Sequence, residues 1–314
     1  MSKGHLSAPL AWVKREISQV PVNNNLLINS NFKNPVNQRG ITEGVTSYFI
    51  DRWRIFNSDL TKNSVKVNDG YITLNLKEGT TSIEVCQKAE FPSDYNGKII
   101  TASVKARLSV GAKAYMRILY YNANQATIKD ERVGIAGTGE WGIYKVTTTI
   151  DMDDIVELRL GDILIYESDT DDVYADIYNE ATKDHALDVE WMKAEIGSQA
   201  TPYVPRLYDE ELQLCQRFYQ VLKQYKNPSN YYEANFLECK INYSGMRIIP
   251  STRFLTGTSV SKYTLNSAVA QTGFDFTVPS KNDYCIGVRA TKATHGLTPT
   301  TSIFIVNLEL DAEL

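Results

Sequence analysis

Apolar and polar residues alternate along most of the chain. Ile100, Ala102, Val104, Ala106 and Leu108 are apolar, and Thr101, Ser103, Lys105 and Arg107 lie between them. Successive side chains on a strand point to opposite faces, so a period of two predicts a half-buried strand. Ile72, Leu74 and Leu76 follow the same rule, as do Tyr144, Val146, Thr148 and Ile150. Turn residues separate the runs at Asn68-Asp-Gly70, Lys77-Glu-Gly79, Tyr95-Asn-Gly97 and Gly137-Thr-Gly139. Many short strands joined by regular turns predict a sandwich or jelly roll over residues 25–205. A βαβ fold is disfavoured because no long helical period interrupts them.

Two segments leave this period. After Ser7 and Pro9, Leu10, Val13 and Ile17 recur at helical spacing, and Pro21 ends the run. A helix this short is marginal alone. Residues 1–24 are therefore expected to be an attachment segment that docks on a partner, with a fraying terminus as the other reading. The second segment is residues 206–226. Leu214, Phe218, Leu222 and Tyr225 fall on one helical stripe, Asp209 can cap it, and Pro228 follows. Strand chemistry returns over residues 231–314, at Phe236–Tyr243, Phe274–Val278, Tyr284–Ala290 and Ile303 onward. The polar stretch 166–183 reads as an inserted loop or hairpin.

The expected architecture is thus all-β: a jelly-roll β-sandwich over 25–205, then 206–314 as one helix and a smaller C-terminal β-sandwich. A length of 314 residues suits two domains. A formal net charge of −4 with scattered basic residues argues against nucleic-acid binding. No apolar run approaches the ~20 residues that span a membrane, and the first residues lack the apolar core of a secretion signal. The four cysteines, Cys86, Cys215, Cys239 and Cys285, form no C-x-x-C pair. They are expected to be thiols, although Cys239 and Cys285 both lie on strands of one predicted domain.

With three histidines and nineteen tyrosines, the chain favours aromatic surfaces over histidine chemistry. No nucleotide, metalloprotease or kinase motif is present, so catalytic residues are not expected. In Lys113-Ala-Tyr-Met-Arg-Ile-Leu-Tyr-Tyr-Asn122, alternation places Tyr115, Arg117 and Tyr121 on one face. Such a face can stack a sugar ring while the arginine bonds its hydroxyls. Trp141, in a nearby loop of the sequence, could add a rim. The same tyrosines could instead cover a sheet or meet a neighbouring chain. Trp53 and Trp191 are expected in the core. Asp151, Asp153 and Asp154, and again Asp169, Asp171 and Asp172, supply oxygens at calcium-like spacing; solvated turns are the other reading of both clusters.

Several short motifs add a resemblance. Asn25-Leu-Leu-Ile-Asn-Ser-Asn-Phe32 is followed by Tyr48-Phe-Ile-Asp-Arg-Trp53. Ala200-Thr-Pro-Tyr-Val-Pro-Arg206 leads into Glu211-Leu-Gln-Leu-Cys-Gln-Arg-Phe-Tyr219. Met246-Arg-Ile-Ile-Pro-Ser-Thr252 and a final Leu-Asp-Ala-Glu-Leu314 complete the set. In this order they resemble tail-fibre and receptor-binding proteins of tailed bacteriophages that carry a jelly roll similar to carbohydrate-binding modules. Ser30 stands where that pattern usually has glycine. The resemblance implies a homotrimeric virion component, assembled in the host bacterial cytoplasm. It would contact other virion proteins through residues 1–24 and bind a bacterial surface polysaccharide. A fibre-borne depolymerase, and a head-fibre or decoration protein, are the alternatives.

Overall fold

The computed structural model describes residues 24–123, 128–167, 179–229, 231–233, 235–243, 245–264, 267–282, 284–295, 297 and 302–313. The predicted N-terminal helix, Asp169, Asp171 and Asp172, and most of the polar stretch at 166–183 lie outside these residues.

The first part of the chain contributes β1 (Glu43–Gly44), β2 (Ser47–Ile50), β3 (Trp53–Asn57), β4 (Ser64–Val67), β5 (Ile72–Leu76) and β6 (Ser82–Lys88). It continues with β7 (Ile99–Leu108), β8 (Lys113–Asn122), β9 (Ile128–Ile135), β10 (Gly142–Thr149), β11 (Ile155–Tyr166) and β12 (His185–Ile196). These form two antiparallel six-stranded sheets, ordered β1-β4-β5-β12-β7-β10 and β2-β3-β6-β11-β8-β9. The alternating apolar residues meet between the sheets. Ile100, Ala102, Val104, Ala106 and Leu108 face Ala114, Met116, Ile118 and Tyr120 across one buried core. Trp53 is fully buried there as expected, edge-on to Phe32 and donating its indole N–H to the Asn29 carbonyl at 2.7 Å. The result is a jelly-roll β-sandwich.

A second, smaller sandwich follows. Its strands are β13 (Tyr219–Pro228), β14 (Tyr231–Glu233), β15 (Phe236–Asn242), β16 (Ser251–Phe254), β17 (Ser259–Thr264), β18 (Ser267–Gln271), β19 (Asp275–Lys281), β20 (Cys285–Thr291) and β21 (Ser302–Asp311). One sheet runs β13-β21-β17-β18, with β16 also on β21, and the other runs β14-β15-β20-β19. Leu237, Cys239, Ile241, Ile286 and Val288 meet Phe304, Val306, Leu308 and Leu310 in its core. All four cysteines are free.

The helix is shorter than its stripe predicts. Helix α1 covers only Tyr208–Gln216, and Leu207 rather than Asp209 precedes it. Asp209, Glu210 and Glu211 occupy its first turn, where the helix dipole favours acids. From Tyr219 the chain is a strand. A bulge between Leu222 and Tyr225, with Gln224 at φ +51°, lets both residues pack on the second core. Residues three apart thus share a face, and a bulged strand imitates a helical stripe.

The motif residues build the joint between the sandwiches. Arg206 donates to the carbonyls of Asn25 and Leu27 and pairs with Glu211 at 2.7 Å. Glu211 in turn accepts the Asn29 N–H at 2.6 Å. Cys215 is buried, and Arg217 reaches Glu90. Arg52 lies over the Phe218 ring at 3.6 Å, and Arg39 over Tyr219 at 3.7 Å. Near the chain end, Glu313 binds Arg52 at 2.7 Å and Asp311 reaches Arg39 at 3.4 Å. Ser30 carries no left-handed strain. The residue with positive φ is Asn29, a type that tolerates it, while Ser30 accepts a hydrogen bond from Asn25.

Candidate functional site

The outer face of the β10–β7–β12 sheet carries the site. Its residues stand in rows fixed by register. Ile143, Lys105 and Trp191 form one row, and Lys145, Ser103 and Lys193 form the next. Residues of the alternating rows, such as Val104 and Met192 between these two and Ala194 beyond them, point into the core. Simple alternation from Leu187 and Val189 would also send Trp191 inward. A bulge between Val189 and Trp191 reverses the parity, so Met192 takes the core position and Trp191 turns outward. The expectation that Trp191 is a core residue is therefore corrected.

The segment after β12 then crosses this face. Thr201 is anchored by Glu195, which accepts its N–H and its hydroxyl at 2.8 Å each, and by Lys193. Burial would raise the Glu195 carboxyl, but these hydrogen bonds outweigh it and hold it below its ordinary range. Anchoring Thr201 places Tyr203 flat against Trp191, with centroids 4.6 Å apart and planes at 4°. The outcome is a groove of about 800 Å³ lined by Lys33, Lys105, Lys145, Trp191, Pro202 and Tyr203, among others. That size lies in the range of small-ligand sites. Glu190 sits at its side between Lys105 and Lys33, each at 2.8 Å. Burial pushes this carboxyl up, and the two lysines overcome that and hold it low.

Trp141 stands beyond the Lys105 end of the same outer face. Its ring meets Tyr71 edge-on at 6.0 Å, Arg107 at 5.0 Å and Lys105 at 5.7 Å. Arg107 is itself bound by Asp188 at 2.5 Å. Lys105 thus lies between Trp141 and Trp191.

The other predicted residues, Tyr115, Arg117 and Tyr121, share a face as alternation requires, but they lie on the opposite sheet, away from Trp141. Their chemistry also differs from the expectation. Arg117 is 8% exposed and points into carboxylates: Glu84 at 2.6 Å, Asp162 at 3.2 Å and Asp130 at 3.4 Å. Burial would loosen its proton, and these acids keep it firmly charged. Arg159 joins the same network through Glu84 at 2.5 Å. Tyr115 stacks on Tyr166 at 5.7 Å, and Tyr121 is hydrogen-bonded to Glu157. This arginine is occupied by protein carboxylates instead of being open to a ligand.

Asp151, Asp153 and Asp154 do not converge. Asp151 accepts from Tyr120 at 2.9 Å and Asp153 from Asn96 at 2.8 Å. Among the described residues no group of three acidic, histidine or cysteine side chains could hold a metal ion. One serine–histidine–acid line occurs: Ser109 Oγ lies 3.4 Å from His185 Nδ1, and Glu167 lies 2.9 Å from Nε2. Ser109 Oγ also accepts the Ala186 N–H at 3.1 Å, and the imidazole side chain is 1% exposed. The line reads as a buried tie between strands. A smaller hollow of about 220 Å³ lies beside Leu26–Ile28, Lys88 and Glu90. Of its charged groups, Lys88 is paired with Glu157, Glu90 with Arg217 and Arg52 with Glu313.

No protein-family model and no curated protein matches the chain. Among solved structures, it is similar to TmCBM61, determined in complex with β-1,4-galactotriose. Identity there is 12%, with 55% of this chain and 99% of that chain covered, at a TM-score of 0.34. A CBM4 structure gives 17% identity over 54% of this chain and 98% of that chain, at 0.33. The enzymatically active domain of tailspike protein 4 of bacteriophage CBA120 gives 11% identity and a TM-score of 0.35. That likeness covers 55% of this chain but only 21% of the tailspike chain.

Proposed function

We propose that this chain is a non-catalytic glycan-binding protein of a tailed-phage virion, a fibre that attaches to a bacterial surface polysaccharide. The observation that carries the reading is the groove on the β10–β7–β12 face. It presents Trp191 stacked with Tyr203, and side chains that can bond hydroxyls, including Ser103, Asn31 and Lys145. Aromatic rings beside a few fixed polar groups suit the C–H face and hydroxyls of a sugar. The virion assignment rests on the ordered motifs of the sequence, and the joint gives those motif residues a shared physical task. Three copies would raise avidity through effective concentration.

The test is binding of the full chain to host-surface glycans, repeated with Trp191→Ala and Tyr121→Ala. Trp191→Ala is expected to lose most binding, and Tyr121→Ala to keep it. Retention by Trp191→Ala would remove the groove from the proposal. Sustained release of new reducing ends from the polysaccharide would replace an adhesin with a depolymerase. A solution mass near three times 35.4 kDa supports a fibre, and a stable monomer counts against it.

A further inference from the structure

We infer that the groove selects an acidic glycan, one that bears uronate or other carboxylate groups. The inference rests on the groove being the glycan site, and it adds the class of sugar.

The argument is local charge. The chain as a whole is acidic, with a net charge of −4. The groove is the reverse: Lys33, Lys105 and Lys145 line it, against the single carboxylate of Glu190. Glu190 neutralises at most one of its two lysine partners, so that cluster retains positive charge. Among the described residues Lys145 has no carboxylate partner, and it is exposed in the row beside Trp191. Lys193 and Arg107 flank the groove but are tied to Glu195 and Asp188, so they do not add to this surplus. A neutral sugar can meet the two surplus ammonium groups only through its hydroxyls, which leaves their charge uncompensated. A carboxylate set next to a ring on Trp191 gains a charge-assisted hydrogen bond. Basic charge concentrated in a cleft also speeds encounter with an acidic polymer, in a salt-dependent way.

The placement favours Lys145 as the reader of the carboxylate. Lys145 and Trp191 occupy neighbouring rows on strands that flank β7 on either side. A sugar stacked at Trp191 and extending across β7 brings its substituents toward Lys145.

The experiment uses the full chain on an array of immobilised bacterial surface polysaccharides, acidic and neutral, each acidic one paired with its carboxyl-reduced form. Wild type, Lys145→Gln and Trp191→Ala are compared at 50 and 300 mM NaCl, concentrations that shorten screening from somewhat over 10 Å to roughly half that. The glycans retained are expected to be acidic. Reduction of their carboxyls, Lys145→Gln and high salt should each weaken binding by roughly two- to fivefold, as one solvent-exposed ion pair warrants. On the reduced glycan, Lys145→Gln should have no further effect. Retention of neutral and reduced glycans as strongly as acidic ones, lost in Trp191→Ala, overturns the acidic class while the groove stands. Binding that survives in Trp191→Ala, or no glycan retained at all, overturns the groove itself.

Discussion

Replacing Glu313 by Gln tests whether the joint between the sandwiches is an ionic lock. Glu313 and Arg52 are each 2% exposed in their side chains. One carboxylate oxygen accepts from Arg52 Nη1 at 2.7 Å and the other from the Arg52 backbone N–H at 3.0 Å. Glutamine keeps the shape but offers one oxygen for two donors. Its amide N–H₂ must then face either the guanidinium or the backbone N–H. Arg52 also keeps its charge in a dry site, with only the Lys88 carbonyl and the Phe218 face left to it. Removing one member of a buried pair costs about 3–5 kcal/mol, most of it from the stranded partner. Arg52 further holds a positive φ of 73°, a conformation that its contacts with Glu313 help to maintain. The assay is urea unfolding of the full chain by circular dichroism, with hydrogen exchange along β21 as the local readout. The expected loss is about 3–5 kcal/mol, seen first as faster exchange near Leu308–Asp311. The double variant Arg52→Met/Glu313→Met should recover part of it, because neither charge of the pair is then stranded, while Arg39, which also reaches Glu313 at 3.5 Å, keeps Asp311. A loss below about 1 kcal/mol, or a double variant as unstable as the sum of its singles, would refute the lock.

Further outcomes follow from the same geometry. Burial raises the Asp51 carboxyl from its ordinary 3.8 to about 7, against the pull of Gln38 and Arg39. The folded state therefore holds a proton that the unfolded state releases, and this contribution to stability fades as pH rises from about 4 to 7. Asp51→Asn should remove it, so wild-type stability minus variant stability should fall across that window, by up to about 1.4 kcal/mol per pH unit. Parallel stability curves for the two proteins would contradict the shift. Gly161→Ala would place a methyl 2.8 Å from Leu27 and 3.1 Å from Trp53, and should destabilise by about 1–3 kcal/mol in denaturant titration. Phe218→Ala opens a cavity beneath Arg52 and should cost about 3–5 kcal/mol; an effect under 1 kcal/mol would mean the joint collapses to fill it.

Much of the fold was legible because local parity and global burial agree. The alternation at Ile100–Leu108 and at Ala114–Tyr120 places those residues on facing inner surfaces, as a period of two requires. The face carrying Tyr115, Arg117 and Tyr121 was legible in the same way, but its surroundings were not. Arg117 reads as an open sugar contact only while its neighbours are unknown. Glu84, Asp162 and Asp130 reach it from β6, β11 and β9, and strand order is not written in any one segment. Trp141 was separated from that face for the same reason. The strand that follows it, β10, pairs with β7, while β8 lies in the opposite sheet.

The two largest departures share one cause. At β12 an inserted residue makes Val189 and Met192 both face inward, and Trp191, expected in the core, becomes the floor of a groove. At β13 an inserted residue makes Leu222 and Tyr225 share a face, and a strand takes on the spacing of a helix. Each bulge changes the parity of everything beyond it, and neither is marked by glycine, the residue that most often betrays one. Both also sit where the chain needs re-aiming. The first turns an aromatic toward the surface at the point where the Thr201–Tyr203 segment crosses, with Tyr203 stacked on one side of it and both rings lining the groove. The second keeps an edge strand packed on its core after the joint. A run whose apolar residues step by two and then by three is therefore better read as a bulged strand than as a broken pattern. The side chain at the step is the one turned outward, and in this chain that side chain is Trp191.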